Sequence, residues 1–251
     1  MGENIILQRK IKVPKRNGGE LISILFETST NTKKKSPLVI LCHGFTGDKY
    51  EWGRFPKTAK RLNEKGFDAI IFDFSGSGEN KREPVLLSQQ VQDLVDVYDW
   101  LKKLDYVDFG IIGLSFGGLT ALIANLPVRT AIFWAPAFYL ENITNNSLYN
   151  HFPFKLLSAS PPEIYIEEDF VHELKEIDTE KYLRKFKYPS LIIHGKLDKT
   201  VKPELSKKAE GHFPSNIDHK LLLVENADHM FNNDQLEEFI EESINWLQKY
   251  L

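Results

Sequence analysis

The chain of 251 residues holds a single cysteine, Cys42, so no internal disulfide can form. A lone thiol fits a reducing compartment, and a cytoplasmic location is the expectation. Cys42 follows an apolar run and reads as a small buried residue. An excess of one charge is also lacking. The net charge of -3 gives no electrostatic case for nucleic acid or an anionic membrane as partner. The basic run Lys33-Lys34-Lys35 stands between two apolar segments and reads as a solvated turn. Long hydrophobic runs are missing too. The most apolar stretch, from about Val107 to Leu126, is broken by Asp108, Asn125 and four glycines, so no stable membrane insertion is expected. Met1-Gly2-Glu3-Asn4 has no basic region leading into an apolar core, so no secretory signal is expected. The Asn-x-Ser/Thr triplets at Asn142 and Asn146 then read as chance matches. No linker rich in Pro, Gly or Ser, no repeat and no low-complexity tract divides the chain, which predicts one α/β domain over 1–251.

What is present alternates between two periods. Ile5–Val13 and Leu21–Phe26 flank the turn signal Asn17-Gly18-Gly19 and predict an antiparallel hairpin. Leu38–Leu41, Asp68–Phe72, Phe109–Ile112, Thr130–Trp134, Leu191–Ile193 and Leu221–Val224 read as short buried strands. Between them, Phe55–Lys65, Ser88–Lys103 and Asn233–Tyr250 carry helical apolar stripes; Val91, Leu94, Val95, Tyr98 and Leu101 are one such face. Strands alternating with helices predict a mostly parallel sheet with helices on both faces. The segment from about 138 to 187 breaks the alternation. It is rich in aromatics (Phe138, Tyr139, Tyr149, Phe152, Phe154, Tyr165, Phe170), with Pro153, Pro161, Pro162 and the acidic run Glu167-Glu168-Asp169. It reads as an inserted lid.

The chemistry is concentrated in Gly113-Leu114-Ser115-Phe116-Gly117. This G-x-S-x-G stretch lies between a predicted strand and a predicted helix, the setting of a nucleophile elbow. A serine hydroxyl needs a base to take its proton, and the base needs an orienting carboxylate. On such an elbow the acid and the histidine come after the serine in that order. Asp198 and His229 follow successive predicted strands, at the strand ends where open α/β sheets bind ligands. Alternatives exist for each. Asp198 can be a turn residue and His229 a surface residue, and Asp228 competes as the acid but adjoins the ring it would have to reach. His194 and His43 read as braces for their loops, and His151, His172, His212 and His219 as surface or lid residues. The anion of a tetrahedral intermediate needs amide donors. Phe116, directly after the serine, supplies one. Phe45, in His43-Gly44-Phe45-Thr46-Gly47, is the choice for the second. Trp134, Phe138 and Tyr139 are the predicted substrate contacts, with an apolar or aryl pocket and a private lid core as equal readings of the aromatics.

His43-Gly44-Phe45, Asp73-Phe74-Ser75-Gly76-Ser77-Gly78, the elbow, Asp198 and His229 together resemble the α/β-hydrolase superfamily over nearly the whole chain. Within it, the short hairpin, the His-Gly-Phe-Thr-Gly loop and the compact lid are most similar to small serine esterases of the cinnamoyl/feruloyl type, and to monoacylglycerol lipases. The resemblance implies Ser115 as nucleophile, His229 as base and acid, Asp198 as orienter, and the Phe45 and Phe116 amides as the oxyanion hole. It implies a small-molecule ester as substrate and neither metal nor cofactor, and it makes Asp73 and its glycines structural. Haloalkane dehalogenases of this fold carry aspartate at the nucleophile position, where this chain has Ser115. The expected activity is a carboxylesterase, with monoacylglycerol lipase or lysophospholipase as alternative. A binding protein that does not turn over is the alternative from another class.

Overall fold

The computed structural model describes residues 6–28, 35–140, 154–156, 164–232 and 234–251. Tyr149, His151, Phe152, Pro153, Pro161, Pro162, the two glycosylation-like triplets and the first two lysines of the basic run lie outside them. The first two strands, β1 (Ile6–Pro14) and β2 (Glu20–Thr28), form the expected hairpin. Its tip turns on Gly18 and Gly19 at φ of 91° and 86°, a region that glycine enters without a Cβ clash. The chain continues through β3 (Leu38–Cys42), α1 (Arg54–Glu64), β4 (Asp68–Phe72), α2 (Leu87–Lys102), β5 (Phe109–Leu114), α3 (Phe116–Ala124) and β6 (Thr130–Trp134). After the inserted segment come β9 (Ser190–Gly195), α6 (Pro203–Glu210), β10 (His219–Val224) and α7 (Asp234–Tyr250).

Eight strands make one sheet in the order β1-β2-β4-β3-β5-β6-β9-β10. The two hairpin strands are antiparallel and the six others parallel, so the sheet is mostly parallel as the alternation predicts. Side-chain alternation along these strands divides the core in two. Ile40, Ile70, Ile111, Phe133 and Ile192 face α2 and α3, among Leu94, Val97 and Leu119. Val39, Leu41, Ile71, Ile112, Trp134 and Ile193 face α1 and α7, among Phe55, Leu62, Phe239 and Leu247. Among the described residues no helix is long and apolar enough to cross a membrane.

Among the described residues between β6 and β9 are a two-stranded antiparallel sheet, β7 (Phe154–Leu156) with β8 (Ile164–Ile166), and the helices α4 (Glu168–Lys175) and α5 (Thr179–Lys185). The acidic run read from the sequence is the start of α4, where carboxylates complement the positive end of the helix dipole. Ile164, Ile166, Phe170, Val171, Leu174 and Leu183 bury into the α2/α3 side of the core rather than forming a separate one.

Candidate active site

β5 runs to Leu114, and the chain then reverses through Ser115 at φ 52° and ψ -116°, a conformation strained for any side chain. The glycines on either side make the turn possible. A Cβ on Gly113 would fall 2.7 Å from the Gly117 carbonyl oxygen, and one on Gly117 would fall 2.3 Å from the Cys42 carbonyl oxygen. The strained serine is held by the amide N–H of Ser115 donating to Trp134 O (2.8 Å), and by the N–H groups of Gly118 and Ala137 donating to Ser115 O (3.0 Å each).

The loops after β9 and β10 leave the same edge of the sheet and bring Asp198 and His229 to the serine. His229 Nε2 lies 3.2 Å from Ser115 Oγ, and His229 Nδ1 lies 2.6 Å from Asp198 Oδ2. A neutral ring that donates from Nδ1 to the carboxylate leaves Nε2 free to accept the serine proton. Asp198 is buried, and its other oxygen accepts the N–H groups of Thr200 and Val201 at 2.8 Å each. Burial raises a carboxyl pKa. Here the hydrogen bonds from His194, His229 and the Val201 amide outweigh it and hold Asp198 well below the ordinary carboxylate range. Asp228 is exposed and accepts the N–H groups of Met230 and Phe231, shaping the His229 loop without touching its ring.

His194 and His43 brace their loops. His194 is fully buried, with Nε2 reaching both Asp198 Oδ2 (3.1 Å) and Val201 O (2.9 Å), and Nδ1 on Ser206 Oγ (2.7 Å). His43 Nδ1 donates to Gly44 O and Nε2 accepts from the Phe74 amide, which ties the loop after β3 to the loop after β4. In that second loop a Cβ on Gly78 would fall 2.2 Å from the Asp73 carboxylate, so the glycine makes room for a buried acid. Among the described residues no group of three His, Cys, Asp or Glu side chains is placed to hold a metal ion.

Beside Ser115 opens a cavity of about 360 Å³ with Phe45, Leu114, Phe116, Ala137, Val201 and Met230 on its walls. The Phe45 and Phe116 amide N–H groups donate to no acceptor among the described residues. The Phe45 ring stacks on Phe170 (5.2 Å) and meets Phe116 edge-on (5.7 Å). The three predicted substrate contacts are not on these walls. Trp134 lies under the sheet on the α1/α7 side, fully buried, with its indole N–H on Ser243 Oγ (2.9 Å) and Phe55, Phe231 and Phe239 around it. Phe138 is fully buried against Phe133. Tyr139 lines a separate cavity with Lys208 and Thr179. Sequence reasoning misses Glu51, Trp52, Arg54 and Thr200, all of which line the cavity beside the serine. The available signal is a Glu and an Arg three residues apart, shortly after the His-Gly-Phe-Thr-Gly loop.

Residues 37–126 match the model of a family described as the alpha/beta hydrolase fold. An uncharacterized 31.7 kDa protein of Escherichia coli, in the traX-finO intergenic region, is 37% identical over 89 residues, covering 34% of this chain and 30% of that protein. The uncharacterized protein YcjY of Escherichia coli is 33% identical over 132 residues, 49% of this chain and 42% of that protein. The chain thus spans less than half the length of these curated relatives. Similarity in three dimensions is far more extensive. Est1E from Butyrivibrio proteoclasticus, in a structure with ferulic acid bound, superposes with a TM-score of 0.82 at 25% identity, over 96% of this chain and 98% of that one. The Pyrococcus furiosus esterase PF2001 superposes with a TM-score of 0.76 at 17% identity, over 98% of this chain and 91% of that one.

Proposed function

We propose that this chain, which has the α/β-hydrolase fold and resembles small esterases of the feruloyl type, is a serine carboxylesterase acting on small apolar or aryl esters through an acyl-enzyme. The observation that carries this reading is the hydrogen-bond chain from Ser115 Oγ through the His229 ring to Asp198. Ser115 Oγ attacks the ester carbonyl carbon as His229 Nε2 takes its proton. Asp198, held ionised by its four donors, stabilises the imidazolium that forms. The carbonyl oxygen becomes an anion facing the Phe45 and Phe116 amides, where each donor is worth about 3 kcal/mol to the transition state. Collapse of the intermediate breaks the bond to the alkoxy oxygen, which leaves with the proton from His229. Water then gives a proton to the same nitrogen and attacks the acyl carbon, releasing the acid and restoring the serine.

The aryl preference is supported by the apolar cavity walls and by the structural likeness to Est1E, whose structure holds ferulic acid. Phe170 of α4, stacked on Phe45, covers the site from the inserted segment. The test is fluorophosphonate labelling of Ser115, with kcat/KM measured for p-nitrophenyl esters from acetyl to palmitoyl, methyl ferulate and a monoglyceride. Ser115→Ala should abolish labelling and lower kcat by about 10⁴-fold or more. Near-normal turnover in that variant, a sharp palmitoyl preference, or hydrolysis confined to acyl-CoA would each overturn the proposal.

A further inference from the structure

The oxyanion loop after β3 and the His229 loop after β10 are joined, along one wall of the cavity, by a buried ion pair. Glu51 Oε1 accepts the amide N–H of Gly44 at 2.7 Å, one residue before the proposed donor Phe45. Glu51 Oε2 accepts from Arg54 Nη2 at 2.7 Å, and Arg54 Nη1 donates to Met230 O at 2.9 Å, one residue after His229. Both side chains are almost wholly buried, at 2% and 5% exposure. The guanidinium lies between the Trp52 and Phe231 rings, 5.2 Å from each centroid.

This arrangement is a poor way to gain stability. Two charges are taken out of water, Arg54 Nε is left without a partner, and Glu51 and Trp52 sit at φ of 45° and 52°. What it does achieve is geometric. A planar fork with fixed donor directions sets the distance between the two loops, which a point charge on a flexible stem would not do.

We infer that Glu51 and Arg54 are positioning residues that hold the oxyanion donor and the His229 ring in mutual register, an inference that rests on the serine esterase reading. A displacement near 1 Å at such a site costs about 10²-fold in rate. The loss should depend on the leaving group. p-Nitrophenolate departs without a proton, whereas an alkoxide must receive one from His229, so a displaced ring penalises an ethyl ester more than a p-nitrophenyl ester.

The experiment compares parent, Arg54→Met, Arg54→Ala and Glu51→Gln/Arg54→Met on p-nitrophenyl butyrate and ethyl butyrate, with circular dichroism for folding and fluorophosphonate labelling of Ser115. The double variant removes both buried charges together and guards against a single variant that does not fold. In folded variants lacking Arg54 we expect kcat to fall about 10²-fold with KM within about threefold, and kcat/KM for the ethyl ester to fall about tenfold further than for the p-nitrophenyl ester. Added guanidinium should restore part of the loss in Arg54→Ala. Folded variants that keep the parental kcat, or lose both esters equally without guanidinium rescue, overturn the inference while the esterase reading stands. A parent that neither labels nor hydrolyses either ester overturns that reading, and this inference with it.

Discussion

Replacing Asp198 by Asn changes one atom's worth of side chain, and the local hydrogen bonds decide how the site responds. The carboxylate accepts four N–H groups, Thr200 and Val201 on Oδ1, His229 Nδ1 and His194 Nε2 on Oδ2. An amide supplies one oxygen and one NH₂. If the oxygen faced the rings, the NH₂ would oppose two backbone N–H groups, the part-buried one of Thr200 and the buried one of Val201, the latter conflict alone costing about 1–3 kcal/mol. The oxygen therefore stays on the backbone and the NH₂ faces the rings. His194 Nε2–H retains Val201 O as acceptor at 2.9 Å. His229 has no such substitute and must turn to the tautomer that accepts at Nδ1. Its Nε2 then carries a proton toward Ser115 Oγ, 3.2 Å away, and cannot remove one. We expect kcat on p-nitrophenyl butyrate near neutral pH to fall by about 10⁴-fold, equivalent to about 5 kcal/mol of transition-state stabilisation. KM should be little changed, because the cavity walls are untouched. Asp228→Asn, which keeps the oxygen capping Met230 and Phe231, should stay within about fivefold of the parent. A folded Asp198→Asn enzyme within about tenfold of the parental kcat would refute the reasoning, and a crippled Asp228→Asn would move the acid to the neighbouring residue.

Two further substitutions probe structure away from the reacting atoms. Trp134→Phe removes the indole bond to Ser243 and leaves a small void under the sheet, so stability should fall by about 2 kcal/mol and Tm by about 4–8 °C, with KM for aryl esters within about twofold. A KM raised more than about fivefold at unchanged Tm would return Trp134 to the substrate. Hydrogen bonds from Lys10 and Lys49 lower the Glu79 pKa to about 2. A lowered carboxyl pKa stabilises the fold above the unfolded value and loses that contribution as pH falls through the folded one. Because Glu79 is 41% exposed, solvent screening reduces the effect to about 1 kcal/mol. Urea titrations of parent and Glu79→Gln should therefore differ by a constant amount above about pH 5 and converge as the pH drops toward about 2. A difference that grows in acid would contradict the assignment.

Much of the fold is legible in the sequence because its elements announce themselves locally. The six parallel strands are short apolar runs between Gly, Pro and Asp, and α2 repeats its apolar residues at a period that only a helix satisfies. α6 escapes notice although Pro203 opens it, since so short a helix, dominated by charged side chains, leaves too little stripe to see. α4 and α5 are hidden for a different reason. Their buried residues, Phe170, Val171, Leu174 and Leu183, pack on a core built mainly by distant strands, so their burial is a tertiary property with little local signature.

The site divides along the same line. Ser115, Asp198 and His229 stand out because each belongs to a backbone event, the end of a strand at the carboxyl edge, and chain order then matches the roles proposed for them. The expected substrate contacts Trp134, Phe138 and Tyr139 lie off the walls of the cavity beside Ser115 because an end-of-strand position says nothing about which face a side chain takes. β6 is apolar on both faces, so the alternation that would separate inward from outward is absent. Parity still constrains the answer. Trp134 must share a face with Ile132, and Ile132 packs in the α1/α7 half of the core, whereas Phe133 points toward α2 and α3. The cavity walls come instead from the residues that cross the edge of the sheet: Phe45 and Trp52 after β3, Phe116 after β5, Ala137 after β6, Val201 after β9 and Met230 after β10. The proposed chemistry and the cavity beside it are therefore both made at the strand ends. A sequence can be searched for the first by motif and order, but the second depends on how separate loops lean together.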